Sequence, residues 1–236
     1  MVESTKPATR FAELRAMHGV RSSLRNAMVA FQTILARVPA NQDGVFFPFY
    51  HHVLDDERRG FEKQLRFFKN YGEFVSLDRA IERLEDPRGV GGRFFCVTFD
   101  DGYKNCFTNA LPILLENRAP ASFFVVTDFV GLEISKDWDR LQQYPYGHRL
   151  PLEFLSWDEC RKLRDAGMTI GSHTCTHPRF ADCDVTRVER ELLQSKTTIE
   201  RELGVECRHF ACPYGGPTAD FDGAIHPQLA KAAGYK

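Results

Sequence analysis

Asp100 and Asp101, in the run Thr98-Phe99-Asp100-Asp101-Gly102, are adjacent carboxylates set between an apolar stretch and a glycine. Like charges this close raise one pKa unless a cation or a hydrogen-bond network absorbs the charge. A metal on one aspartate and a base role for the other satisfies both. A helix N-cap with an acidic first turn is the plainer alternative, and the five residues alone do not separate the two. A second segment, Gly171-Ser172-His173-Thr174-Cys175-Thr176-His177-Pro178, spaces two histidines i, i+4, so that one helical turn or compact loop can aim both at a single cation. Such a pair alone is more often two surface histidines. Combined with Asp101 it makes two histidines and a carboxylate, with coordination positions left for water and substrate. Cys175 sits between the ligands, turned from their shared face. A third segment, Phe210-Ala211-Cys212-Pro213-Tyr214-Gly215, follows an expected strand at Cys207–His209.

These segments need elements that hold them at one place. Phe94–Val97 reads as a buried strand, because a continuous apolar, β-branched run suits a strand covered on both faces. Met168–Gly171 reads as another, so both chemical segments fall just past strand ends. Val45–Phe49 opens the series and Phe74–Leu77 continues it. Helical spacing is expected over Phe61–Tyr71, Asp78–Leu84 and Asn105–Asn117, the last with Pro112 kinking or delaying it. Ser156 with Glu159 reads as a capping box for a helix to Ala166, and Asp184 as the cap of a long helix to about Leu203. Alternating strand and helix favours a parallel α/β architecture, in which active sites gather at strand C-terminal ends. The stretch Thr127–Pro151, with Trp138, Tyr144, Tyr146 and His148, lacks clear periodicity. It is either a loop presenting aromatics to a groove or a loop packed over them.

Residues 1–42 stand apart as a helical extension before a domain over 43–236. Phe11, Leu14, Met17, Leu24, Met28, Phe31, Ile34, Leu35 and Val38 outline amphipathic helices with arginines on the other face. Packing against the domain is the commoner outcome for such a helix; peripheral membrane contact through residues 10–38 is the alternative. The 236 residues carry 31 Lys plus Arg against 32 Asp plus Glu, a net charge of −1, which gives no footprint for nucleic acid. Seven cysteines without a C-x-x-C pair, and no apolar leader, lead to the expectation of a cytoplasmic setting. Composition leaves the oligomeric state open.

With the three segments in this order, the chain resembles the polysaccharide deacetylases of the NodB-homology type, carbohydrate esterase family 4. Thr-Phe-Asp-Asp-Gly resembles the first family motif, His173 to His177 the His-Ser/Thr-x-x-His motif, and Pro213-Tyr214-Gly215 the third; Ala119–Val125 resembles the strand after the first. The likeness runs from about Phe49 to Lys236. It implies a distorted (β/α)7 barrel and a hydrolase removing N-acetyl groups from N-acetylated amino sugars in a polysaccharide or its precursor. It also implies a divalent metal, zinc foremost, on Asp101, His173 and His177. Asp100 would be the base that activates water at that metal, with the Tyr214 N–H, beside Pro213, at the oxyanion. The usual motif arginine is replaced by Ala211. Together with Tyr50-His51, this resembles the exopolysaccharide branch, which includes poly-N-acetylglucosamine deacetylases, and makes His51 the general acid with His52 the weaker candidate. Tyr235-Lys236 reads as the start of a last strand cut short.

Three other readings are carried forward. A catalytically weak carbohydrate-binding relative would account for Ala211. A deacylase of another small amide would use the same site. Two histidines and a carboxylate also suit ferrous iron in an oxygenase, whose β-rich jelly-roll setting the strand–helix alternation contradicts.

Overall fold

The run Phe94–Val97 extends, as its composition dictates, and lies at the centre of the sheets. The computed structural model describes residues 9–10, 43–86, 88–145 and 152–236. Strands β1 (Gly44–Phe46) and β2 (Phe49–Tyr50) pair in parallel, at one register, with β4 (Arg93–Phe95) and β5 (Val97–Phe99). Across the gaps the Cys96 N–H donates to the Phe46 carbonyl at 2.9 Å and the Thr98 N–H to Pro48 at 3.0 Å. Residues 44–50 and 93–99 therefore behave as one continuous pair. Pro48 is tolerated because 44–50 is an edge in both sheets, where its missing donor breaks no ladder. On the other edge of this central pair, β3 (Glu73–Phe74) lies along β4 and β6 (Ala121–Val125) along β5; β7 (Thr169–Ser172) follows β6. Past β7, Ser172 bridges Phe210, and the Lys236 N–H donates to the Arg208 carbonyl at 2.8 Å. Every strand pair is parallel, so the expected α/β architecture is present. The described strands run as a series of pairings from 44–50 to 208–211, without a hydrogen-bonded ring.

Helices cover the sheet where their apolar stripes allow. Helix α1 (Arg58–Tyr71) buries Phe61 and Leu65. Helix α2 (Leu77–Glu85) starts one residue earlier than its pattern suggested, because Ser76 accepts from the Arg79 N–H; this cap also ends the expected 74–77 strand at Phe74. After the first motif the chain makes a π-helical turn, Cys106–Ala110, before α3 (Leu111–Asn117). Pro112 thus sits in the first turn of α3, where its missing N–H leaves nothing unpaired. The stretch from Thr127, expected as a loop, contains helix α4 (Ile134–Leu141). The capping box of Ser156 and Glu159 opens α5 (Trp157–Asp165), Asp184 caps α6 (Val185–Leu203), and α7 (His226–Ala232) closes the order.

The main core lies between β5, β6 and helices α3, α5 and α6, with Phe99 and Phe123 stacked at 4.7 Å. Each such buried side chain contributes about 1.5–3 kcal/mol. A second cluster gathers Tyr103, Phe129, Tyr144 and Phe154 around α4. Of the aromatics after Thr127, Tyr144 is buried and Trp138 packs beside it; Tyr146 and His148 lie outside the described residues, as does all of the amphipathic 11–38 segment. No helix among the described residues is long and apolar enough to cross a membrane.

Candidate active site

The chemical segments converge because each follows the C-terminal end of a parallel strand: His51 after β2, Asp100 and Asp101 after β5, His173 after β7, and Cys212 to Tyr214 past the Phe210 bridge. Phe49, His51, Asp100, Asp101, His173, His177, Arg179, Cys212, Tyr214, Gly215 and Asp220 line one cavity of about 530 Å³. Its turns are sharp. Asp101, Thr174, His177 and Tyr214 all hold left-handed backbone conformations, φ between 59° and 71°. Each costs on the order of 1–3 kcal/mol in a non-glycine residue and persists only where neighbours over-determine it. Gly171, in β7, has no alternative: a Cβ there would meet the Phe124 ring at 2.6 Å and the His209 carbonyl at 3.0 Å.

Asp101, His173 and His177 form a buried corner, 3 to 4% exposed. Asp101 Oδ1 lies 3.6 Å from His173 Nε2 and 3.4 Å from His177 Nε2, and one ligand atom of each residue lies within 4.8 Å of the others. His173 Nδ1 donates to the Ala211 carbonyl at 2.8 Å, since a carbonyl can only accept. With its proton fixed there, neutral His173 turns the Nε2 lone pair toward Asp101, the orientation that metal-ligating histidines take. Burial pushes both histidines below their usual 6.5, to about 4; for His173 the neighbouring His177 adds to it. Asp101 Oδ1 has no hydrogen-bond partner among the described residues. The His173 lone pair thus converges with the Asp101 oxygen, which is unfavourable alone and favourable around a cation, and His177 Nε2 lies beside the same oxygen. This donor set fits a divalent metal.

The other residues surround that corner. Asp100 is raised to about 7, first by burial and then by the charge of Asp101. Tyr144 packs its ring 5.2 Å from His177; burial holds its phenol well above the ordinary value, with Tyr103 and Asp101 adding to the shift. Tyr214, half-exposed, sits 4.9 Å from His177 with the Arg179 guanidinium 5.3 Å over its ring. Arg179 also pairs with Asp220 at 3.2 Å.

A family model described as polysaccharide deacetylase matches residues 88–236. The chain belongs to the polysaccharide deacetylase family. Among curated relatives, the chain is 31% identical over 133 residues to a chitooligosaccharide deacetylase of Rhizobium leguminosarum bv. phaseoli, covering 56% of this chain and 48% of the relative. It is 28% identical over 154 residues to one of Bradyrhizobium sp., covering 63% and 57%. The chain thus spans about half the length of the curated relatives it matches. A solved structure of IcaB from Ammonifex degensii shares the fold at a TM-score of 0.66 with 24% identity, over 83% of this chain and 82% of that one. A polysaccharide deacetylase from Bacillus cereus aligns at a TM-score of 0.60 with 26% identity, over 83% and 56%.

Of the residues expected from the sequence, Asp100, Asp101, His173, His177, His51 and Tyr214 all line the cavity. His52 turns away, its Nδ1 3.1 Å from Glu57, and Pro213 is buried without lining the cavity. Cys175 bonds toward the Glu191 carbonyl at 3.6 Å, away from the ligand atoms. All seven cysteines are free. Arg179 and Asp220 carried no motif. Glu191 was also missed, although its place among Val188, Leu192, Ser195 and Ile199 puts a carboxylate on the buried stripe of α6.

Proposed function

We propose that this chain is a metal-dependent N-deacetylase acting on N-acetylated amino sugars in a polysaccharide or its precursor. One observation carries the reading: a second carboxylate, Asp100, shares a cavity with the buried Asp101–His173–His177 set, beside His51 and Tyr214. A binding module gains nothing from an extra carboxylate held up to about 7 by burial and a like charge. The relatives named chitooligosaccharide deacetylases support the substrate class.

Asp101, His173 and His177 would hold the ion, and zinc suits one carboxylate and two imidazoles. Bound there, a divalent ion supplies Lewis acidity toward the amide carbonyl and acidifies a water. Asp100 takes the proton of the attacking water, as a carboxylate of raised basicity at the cavity wall can do. The Tyr214 N–H faces the developing oxyanion and lowers the barrier by binding charge that the ground state lacks. His51 delivers a proton to the nitrogen of the leaving amino sugar. Ala211 in place of the motif arginine removes a side-chain contact but keeps the carbonyl that orients His173.

The test is acetate release from N-acetylglucosamine oligomers by protein supplied with zinc, with Asp100→Asn as control. Release that disappears in the control is expected. Bound zinc without release from any N-acetylated oligomer would overturn the assignment and leave a different small amide or a binding role.

A further inference from the structure

The loop from His173 to His177 bends sharply enough to place two left-handed residues, Thr174 and His177, within four positions. Its backbone donors can be followed one by one. The His173 N–H donates to the Val125 carbonyl at 2.9 Å, Thr174 to Ser172 Oγ at 3.2 Å, and His177 to Thr174 Oγ1 at 2.9 Å. The remaining two, Cys175 and Thr176, both donate to Glu191 Oε2, at 2.8 and 2.9 Å. Thr176 Oγ1 donates to the other oxygen, Oε1, at 2.6 Å. On the opposite side, the Thr127 and Asp128 N–H groups hold the Thr174 and Cys175 carbonyls, each at 3.1 Å. The loop is clamped between the end of β6 and one side chain of α6.

Glu191 is buried, and its carboxylate is held by hydrogen bonds from Cys175 and Thr176. Its neighbours on the α6 stripe are Val188 and Leu192, so hydrogen bonding rather than packing accounts for a carboxylate there, and an apolar residue would leave the Cys175 and Thr176 N–H groups without these acceptors. Its three donors all come from the histidine loop. We propose that Glu191 is the positioning residue of the metal site. It fixes the Cys175-Thr176 turn so that the His173 and His177 Nε2 atoms converge on Asp101 Oδ1. The inference rests on the metal reading given above.

The experiment measures zinc affinity, by competition against a chromophoric chelator, on the full chain and on Glu191→Ala, Glu191→Gln and Glu191→Asp, with a circular dichroism melt of each metal-free form. Glu191→Ala should remain folded and bind zinc about 10- to 100-fold more weakly, the usual loss when an outer partner of a metal ligand is removed. Glu191→Gln should recover affinity to near wild type, because its amide oxygen still accepts both N–H groups and its NH2 can donate to Thr176. Wild-type affinity in a folded Glu191→Ala overturns the proposal. So does a Gln variant as weak as the Ala variant, which would make charge rather than position the cause. If the Ala variant does not fold, Glu191→Asp decides: weakened binding upholds the role, and undiminished binding overturns it. Absence of zinc binding by the wild-type chain would instead remove the metal site itself.

Discussion

The two halves of the cavity are built differently. In the metal corner, Asp101, His173 and His177 are almost wholly buried, and their loop is held by β6 and Glu191. At the rim, Phe49 is 65% and Tyr214 39% exposed, and Tyr214 lies against the Arg179 guanidinium and the His177 ring. The difference separates two demands. On the proposed function, a ligand set has to be held in distance and protonation, whereas a rim has to admit an N-acetylated glycan. Burial and hydrogen bonds are concentrated around the ligand set, and exposed aromatic surface at the mouth.

Substitutions can break this contrast from either side. His51→Ala, at the mouth, should lower kcat by about 10²-fold while leaving zinc stoichiometry and KM close to wild type, since general acid–base contributions are typically about 10²–10⁴-fold. Steady-state acetate release and metal analysis of the same preparation check it; an unchanged kcat would move the acid role away from His51.

The buried corner should also respond to pH in metal-free protein. His173 and His177 are depressed from 6.5 to about 4, so their contribution to stability is present above 6.5 and lost as pH falls toward 4. Asp100 is raised from 3.8 to about 7 and acts oppositely, gaining stability over the same fall. Between pH 6 and 5 the folded chain therefore holds about one proton fewer than the unfolded chain, a loss on the order of 1 kcal/mol per pH unit as pH falls. Asp100→Asn should steepen that slope to about two protons. Urea unfolding of chelator-treated protein across this range measures it, and equal slopes in the two proteins would contradict the burial argument.

The smallest effect is expected at the rim. Arg179→Ala loses a contact over Tyr214 worth about 0.5–1 kcal/mol at an exposed site, so KM should rise roughly 2- to 5-fold with kcat unchanged. A large fall in kcat would show that Arg179 belongs to the chemistry rather than to the rim.

The strand-end placement of Asp100, Asp101, His173 and His177 was legible because apolar runs and turn glycines mark strand ends directly. Caps were equally legible at Ser156 and Asp184, where a side-chain oxygen meets an orphan N–H three residues on. What escaped was set by contacts distant in sequence. Helix α4 was hidden because its burial depends on a separate aromatic cluster, not on a long stripe of its own. Glu191 was hidden because a glutamate in a charged helix reads as solvent-facing until the loop that it holds is placed beside it. The strand at 74–77 came out short for a local reason, Ser76, that was present in the sequence and outweighed the apolar run.

In the proposed mechanism two adjacent carboxylates divide the labour, and one paired measurement tests this most directly: zinc content and acetate release of Asp100→Asn and Asp101→Asn, side by side with wild type. Asp100→Asn should retain about one zinc per chain and lose activity by about 10²–10⁴-fold; Asp101→Asn should lose both. Full zinc occupancy in Asp101→Asn, or undiminished acetate release by Asp100→Asn, would contradict the account.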